Sequence, residues 1–146
     1  PELPHPTYRL MTEADIDATG YIRKAALEWL ARSQGQDPWP WQPTRSRQFA
    51  HMLGTDPGGA WVAEIGGTVI GLSMSFVRGD TWFLAQLFVL PEVHGSGAGQ
   101  GLLERAMAYG REQGARVFAV ISSTSAAAQS LYMRGGMFAR AHNASM

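Results

Sequence analysis

A chain of 146 residues, 45% hydrophobic, 16% charged and formally neutral, is long enough to bury one sizeable core and too balanced in composition to be disordered. Neutrality excludes a nucleic-acid binder that works by bulk charge, because phosphate neutralisation needs a basic face, and the 12 cationic residues are dispersed, with Lys24 the one lysine. The chain has no cysteine, which removes disulfides, thiolate catalysis and Cys-zinc sites.

The four histidines, at 5, 51, 94 and 142, show no metal-ligand spacing, so no metal is expected. No apolar run reaches the 18 residues of a membrane span, and the expectation is a cytoplasmic protein without a membrane partner.

In chain order, Thr7 to Met11 reads as a short strand. Thr12 with Asp15 three residues on resembles a capping box, and the helix that follows carries Ile16, Ile22, Ala26, Trp29 and Leu30 at mostly helical spacing, with Gly35 to close it. Three prolines in GQDPWPWQP, residues 35–43, exclude helix or strand there. Thr44 can cap a second helix bearing Phe49, Met52 and Leu53 and ending at Gly54. Ala60 to Ile65 and Thr68 to Val77 form a hairpin around Gly66-Gly67. Arg78-Gly79-Asp80 turns the chain into Thr81 to Leu90, so three antiparallel strands follow one another.

After Leu90 comes PEVHGSGAGQGLL, with glycines at 95, 97, 99 and 101, and then helical spacing through Leu102, Leu103 and Ala106 to a stop near Gly114. This is a strand, a glycine loop and a helix spanning Gln100 to Gln113. A helix start leaves N–H groups unpaired and carries partial positive charge, and glycines let an anion approach the backbone. The expected ligand is a phosphate or pyrophosphate. The glycine spacing is neither a dinucleotide fingerprint nor a P-loop. Arg116 to Ser122 then reads as a buried central strand, Ser125 to Arg134 as a last helix ended by Gly135-Gly136, and residues 137–146 supply one short strand at most.

Val89, Pro91, Glu92, His94, Gly95, Ser96, Gly97, Ala98, Gly99, Leu102 and Leu103 resemble the acetyl-CoA loop of the GNAT superfamily of N-acetyltransferases, Gln/Arg-x-x-Gly-x-Gly/Ala. Gly97 and Gly99 match, and His94 stands where Gln or Arg is usual. About thirty residues on, Ser125, Ala128, Leu131, Tyr132, Arg134 and Gly136 resemble the family's later motif, with Ser125 in place of Asn and Met137 in place of Phe.

The resemblance implies an α/β (α+β) fold: a mixed, mostly antiparallel sheet flanked by helices, residues 1–146 forming one GNAT-like domain with an incomplete C-terminal strand. It implies acetyl-CoA as acetyl donor. Leu87, Phe88 and Val89 would pair with the pantetheine arm, beside a splay after the fourth strand marked by a bulge. His94, Gly95, Ser96, Gly97, Ala98, Gly99, Gln100 and Ser125 would complete the cofactor site. The Val89 main-chain N–H would polarise the thioester carbonyl, and the Tyr132 phenol would act as general acid. The 35–43 connection borders the acceptor cleft in the family, so Trp39, Trp41 and Trp82 are its candidate lining.

No carboxylate occurs from Thr81 to Leu90 or from Arg116 to Ser125, so the strand glutamate that some relatives use as base has no counterpart. Glu92, His94 and Asp80 are the nearest ionisable groups. Deprotonation through ordered water, or capture of an already neutral amine, is the expected route.

Two functions compete. One is an acetyl-CoA-dependent N-acetyltransferase acting on a small-molecule or peptide amine. The other is a catalytically silent acyl-CoA-binding half-domain beside a partner. The unfinished sheet points to a homodimer or to a second GNAT-like domain. A nucleotide-binding Rossmann-type protein ranks last, because the glycines follow several strands and no acid lies twenty positions on.

Overall fold

The computed structural model describes residues 5–37 and 46–120. Its element order is β1 (Thr7–Leu10), α1 (Ile16–Ser33), α2 (Ser46–Thr55), β2 (Ala60–Ile65), β3 (Thr68–Arg78), β4 (Thr81–Val89), α3 (Ala98–Glu112) and β5 (Val117–Val120), with short 3-10 turns at Glu13–Asp15, Pro57–Gly59 and Pro91–Val93. The sheet runs in chain order from β1 to β5, antiparallel up to β4, with β5 added parallel to β4. The mixed, mostly antiparallel sheet expected from the sequence is therefore present.

Local chemistry explains the boundaries. Ahead of α1 the Asp15 carboxylate accepts the Thr12 N–H at 2.8 Å and both Arg9 Nη groups at 2.8 Å, while Arg9 Nε donates to Glu64 at 2.8 Å. These charge-assisted bonds tie β1, β2 and the start of α1 together and hold the Asp15 carboxyl below its usual range. The capping pair opens a 3-10 turn before the α-helix proper. At the other end Gly35 sits at φ 71°, its N–H on Arg32 and the Gln36 N–H on Ala31, which is a Schellman ending. Gly114 closes α3 in the same way, with Ala115 N–H on Gly110.

Helix α3 starts at Ala98, two residues before the sequence reading placed it. Gly97, at φ 86°, is its N-cap in the left-handed region, and the helix runs on through Gly99 and Gly101. A Cβ on Gly101 would lie 2.0 Å from Tyr8 Oη, so that glycine serves close packing against β1 rather than the loop.

Two layers cover the sheet. On one face, Ile22 of α1 with Met52 and Leu53 of α2 cover Met11, Ala60, Val62, Leu72 and Met74. On the other, Leu103, Ala106 and Met107 of α3 cover Trp82 and Leu84, and a neighbouring cluster joins Ala63, Ile70, Ala98 and Leu102. Near β3 the edge of the α3 layer is tied down by Asp56. It accepts from Tyr109 Oη at 2.7 Å, Arg78 Nη1 at 2.9 Å and Val77 N–H at 3.2 Å. Burial alone would raise this carboxyl; the bonds outweigh it and hold it low, and burial with the Asp56 contact pushes the Tyr109 phenol up to about 12.

One irregularity positions the site. Met74 pairs with Gln86 but Ser75 pairs with Leu84, so Ala85 is an extra residue in β4, a β-bulge. Strict alternation is interrupted there. Leu84 packs under α3, and after the bulge it is Leu87 and Val89 that do so, while Phe88 joins the α1 face.

Candidate active site

The outer edge of β4 is the first component. The Leu90 N–H donates to the Ile70 carbonyl at 2.8 Å, and main-chain groups alternate sides along a strand. Residues 88 and 90 therefore address β3, and the N–H and C=O groups of Leu87 and Val89 point away from it. On that side β5 pairs with Thr81 to Leu84, and no described residue pairs with 85–89. The bulge expected beside the cofactor lies in β4 at Ala85, just before this stretch.

The glycine loop is the second component. His94 N–H bonds to Pro91, Ser96 N–H to Val93 and Gly101 N–H to Gly97. The N–H groups of Gly95, Gly97, Gly99 and Gln100 make no hydrogen bond among the described residues, and Ala98 N–H has only Ser96 Oγ at 3.3 Å. Gly95 and Gly97 have φ of 92° and 86°, a conformation that turns successive N–H groups to one side. With the helix dipole behind them, these unpaired N–H groups gather at the start of α3, the arrangement that favours an anion. They begin within a few residues of the free edge of β4.

His94 is engaged differently from what its place in the motif implies. Its Nε2 lies 3.2 Å from the Val89 carbonyl, a pairing that requires the Nε2–H form because a carbonyl only accepts. Its ring meets Trp29 of α1 edge-on at 4.8 Å. The imidazole thus links the loop to α1 and to the end of β4.

Tyr8 was not singled out by the sequence, yet it supports the loop from below. Its hydroxyl donates to the Gly97 carbonyl at 3.3 Å and its ring carries the Arg105 guanidinium at 3.8 Å. Burial raises its phenol above the ordinary value, with Arg105 opposing. A lone tyrosine in a four-residue strand gives no signal of this role; only the contact with Gly101, 93 positions away by residue number, reveals it.

Two expectations need correcting. Trp82 has no exposed surface; it packs on Phe118 and lies against Gly110 of α3. Its parity puts it on the α3 face, so it fills the core and lines no acceptor cleft. Asp80 sits at the β3–β4 hairpin, the opposite end of β4 from Val89, roughly 25–30 Å away at strand rise, too far to serve as base there. Glu92 is exposed beside the loop. Trp39, Trp41, Ser125 and Tyr132 lie outside the described residues, as do Thr44, the last helix and the C-terminal strand. Among the described residues no cluster of three or more His, Cys, Asp or Glu could hold a metal, and no helix is long and apolar enough to cross a membrane.

Comparison with known proteins agrees with this geometry. The chain is 39% identical over 80 residues to an uncharacterised N-acetyltransferase of Archaeoglobus fulgidus, a match covering 47% of this chain and 52% of that one; the match thus spans about half the length of that curated relative. A ribosomal-protein-alanine N-acetyltransferase from Brucella melitensis superposes with a TM-score of 0.70 at 26% identity, covering 89% of this chain and 83% of that one. A GNAT family acetyltransferase from the same organism, solved with acetyl-CoA, gives a TM-score of 0.66 at 21% identity over 94% and 85% of the two chains. The sequence model of the acetyltransferase (GNAT) family matches residues 24–137, most of the chain, and with the open β4 edge running into a glycine-capped helix it establishes that this chain belongs to the GNAT acetyltransferase family.

Proposed function

We propose that this protein transfers the acetyl group of acetyl-CoA to a primary amine of a small molecule or peptide by direct attack. The observation that carries the reading is the continuity of two sets of unused donors. The outward N–H groups of Leu87 and Val89 on β4 lead into the unpaired N–H groups of Gly95, Gly97, Gly99 and Gln100. That is the donor pattern for an extended arm ending in a pyrophosphate. When bound, acetyl-CoA supplies an activated acyl thioester.

The chain's own groups then have distinct tasks. The loop N–H groups and the α3 dipole hold the pyrophosphate. Leu87 and Val89 hold the arm as a neighbouring strand would, and the Val89 N–H stabilises negative charge developing on the acetyl oxygen. Tyr132, by its place in the motif, returns a proton to the departing sulfur. His94 fixes the Val89 carbonyl, and so the direction of that peptide. No carboxylate stands on β4 or on residues 116–120, so the amine reaches the site neutral or loses its proton to water.

The intact donor set argues against a silent half-domain. A peptide α-amine is one acceptor class to test first, because the Brucella relative at 26% identity is named for alanine acetylation of a ribosomal protein. The decisive measurement is calorimetric titration with acetyl-CoA, with CoA and NADH as comparisons. Saturable binding of the thioester and CoA but not NADH is expected. No binding of either overturns the reading.

A further inference from the structure

We infer that the side-chain amide oxygen of Gln86 is the group that receives and orients the acceptor amine, an assignment that rests on the acetyltransferase reading above. Gln86 directly follows the bulge at Ala85 and pairs with Met74 of the α1 face. The bulge is what turns it there: had residues 84 to 86 alternated strictly, position 86 would share the α3 face of Leu84. Its Oε1 is buried and has no hydrogen-bond partner among the described residues. An unpaired buried acceptor destabilises a fold, and a ligand N–H can relieve it.

Other unpaired atoms do not share this position. Ser73 Oγ and Trp82 Nε1 are also unpartnered among the described residues, but both residues have 0% exposure beneath α3, whereas Gln86 is partly exposed. Gln100 Oε1 is unpaired while its amide nitrogen donates to Glu104. Gln86 belongs to a strand whose outer edge has no strand partner among the described residues from residue 85 on, and it directly precedes the outward donors of Leu87 and Val89.

The approach direction follows from packing. On the α3 side, Leu84, Leu103 and Ala106 close the sheet, leaving no entry for a nucleophile. The α1 side of β4 is more open: Phe83 keeps 37% exposure and Gln86 and Phe88 are partly exposed. An amine entering there donates one N–H to Gln86 Oε1, which leaves its lone pair free to turn toward the edge of β4. The amide is neutral, so it accepts a hydrogen bond and takes no proton. In the transfer the N–C bond forms as the C–S bond breaks; the amine proton passes to water and the sulfur is protonated separately. Gln86 is thus a positioning and selecting group for amines that keep a free N–H.

Gln86→Met, which preserves length and removes the acceptor oxygen, tests this with two readouts. The probes are acetyl-CoA by calorimetry and four amines by rate: a hexapeptide beginning with alanine, spermidine, glucosamine 6-phosphate and phenethylamine. The expected result is acetyl-CoA affinity within about twofold of wild type, an acceptor KM raised about tenfold or more, and a Tm raised by about 2–4 °C because the unpaired oxygen is gone. Gln86→Asn, which keeps the amide one carbon short, is expected to recover part of the KM. A Tm that falls with an unchanged acceptor KM overturns the assignment and makes Gln86 structural. If wild type binds acetyl-CoA but acetylates none of the four amines, a Gln86→Met chain melting no higher than wild type overturns it, and one melting higher supports it. Failure of wild type to bind acetyl-CoA strikes the acetyltransferase reading itself and this assignment with it.

Discussion

The two faces of the sheet are built from the same strands but are finished differently. Under α3, large side chains such as Trp82, Leu102 and Leu103 have no exposed surface, and the layer's edge is fastened by Asp56, which takes three hydrogen bonds. Under α1 the side chains over β2 and β3 are equally well buried, but toward β4 the cover thins: Phe83 is exposed and Gln86 leaves an oxygen unpaired. One face therefore carries the stability, and the β4 margin of the other is free to be imperfect. Functional sites are commonly found where local packing rules are broken and the rest of the fold compensates.

The comparison can be broken most forcefully from the α3 side. Leu102→Ala empties space between Ala63, Ile70 and Ala98 directly beneath the loop and is expected to lose roughly 2–5 kcal/mol in urea unfolding. Acetyl-CoA binding should weaken as well, since the same helix start carries the loop. Next is Gly101→Ala, whose Cβ would meet Tyr8 Oη at 2.0 Å; a loss of about 1–3 kcal/mol is expected. Adding Tyr8→Ala should make the alanine tolerable, so the two effects should fail to add in a double-mutant cycle.

Asp56→Asn sharpens the contrast through pH. It is expected to lose about 1–3 kcal/mol at neutral pH. Against the opposing pull of burial, the bonds from Arg78, Tyr109 and Val77 hold the folded Asp56 carboxyl below its ordinary range, so its contribution is complete above the unfolded carboxylate range and disappears as pH falls through the depressed folded value. The acid limb of a stability profile should be shallower in Asp56→Asn. Tyr109 has the opposite sign: raised from 10.0 to about 12, its contribution holds below pH 10 and is lost as pH rises through 12. Tyr109→Phe should flatten that alkaline limb.

The smallest effect is expected at His94. Its edge contact with Trp29 is worth about 0.5–1.5 kcal/mol at most, so His94→Ala should barely change urea unfolding. Acetyl-CoA affinity by calorimetry should fall severalfold, because the Val89 peptide loses its fastening. Unchanged affinity would show that the peptide is held by β4 alone.

Much of this was legible in the residues. Ala60 to Ile65, the Gly66-Gly67 turn and the return strand announce themselves by alternation and by two glycines that accept positive φ. Gly35 and Gly114 mark helix ends for the same local reason. The loop was legible because a helix start and clustered glycines need no distant partner to be recognised. What depended on distant contacts was not: Gly101 looked like a fourth loop glycine until Tyr8 was found against it, and Trp82 looked available until α3 covered it. The bulge at Ala85 has no compositional mark, so the face taken by Gln86 could not be read from the strand's sequence.

That bulge also makes β4 a strand with two phases. Deleting Ala85 would restore simple alternation: Gln86 would follow Leu84 directly and still lie opposite Met74, so Leu87 and Val89 would keep the α3 face and the glycines their register with β3. A bulged strand and an unbulged one matched across β4 without a gap would therefore agree about their apolar residues on one side of position 85 and disagree on the other.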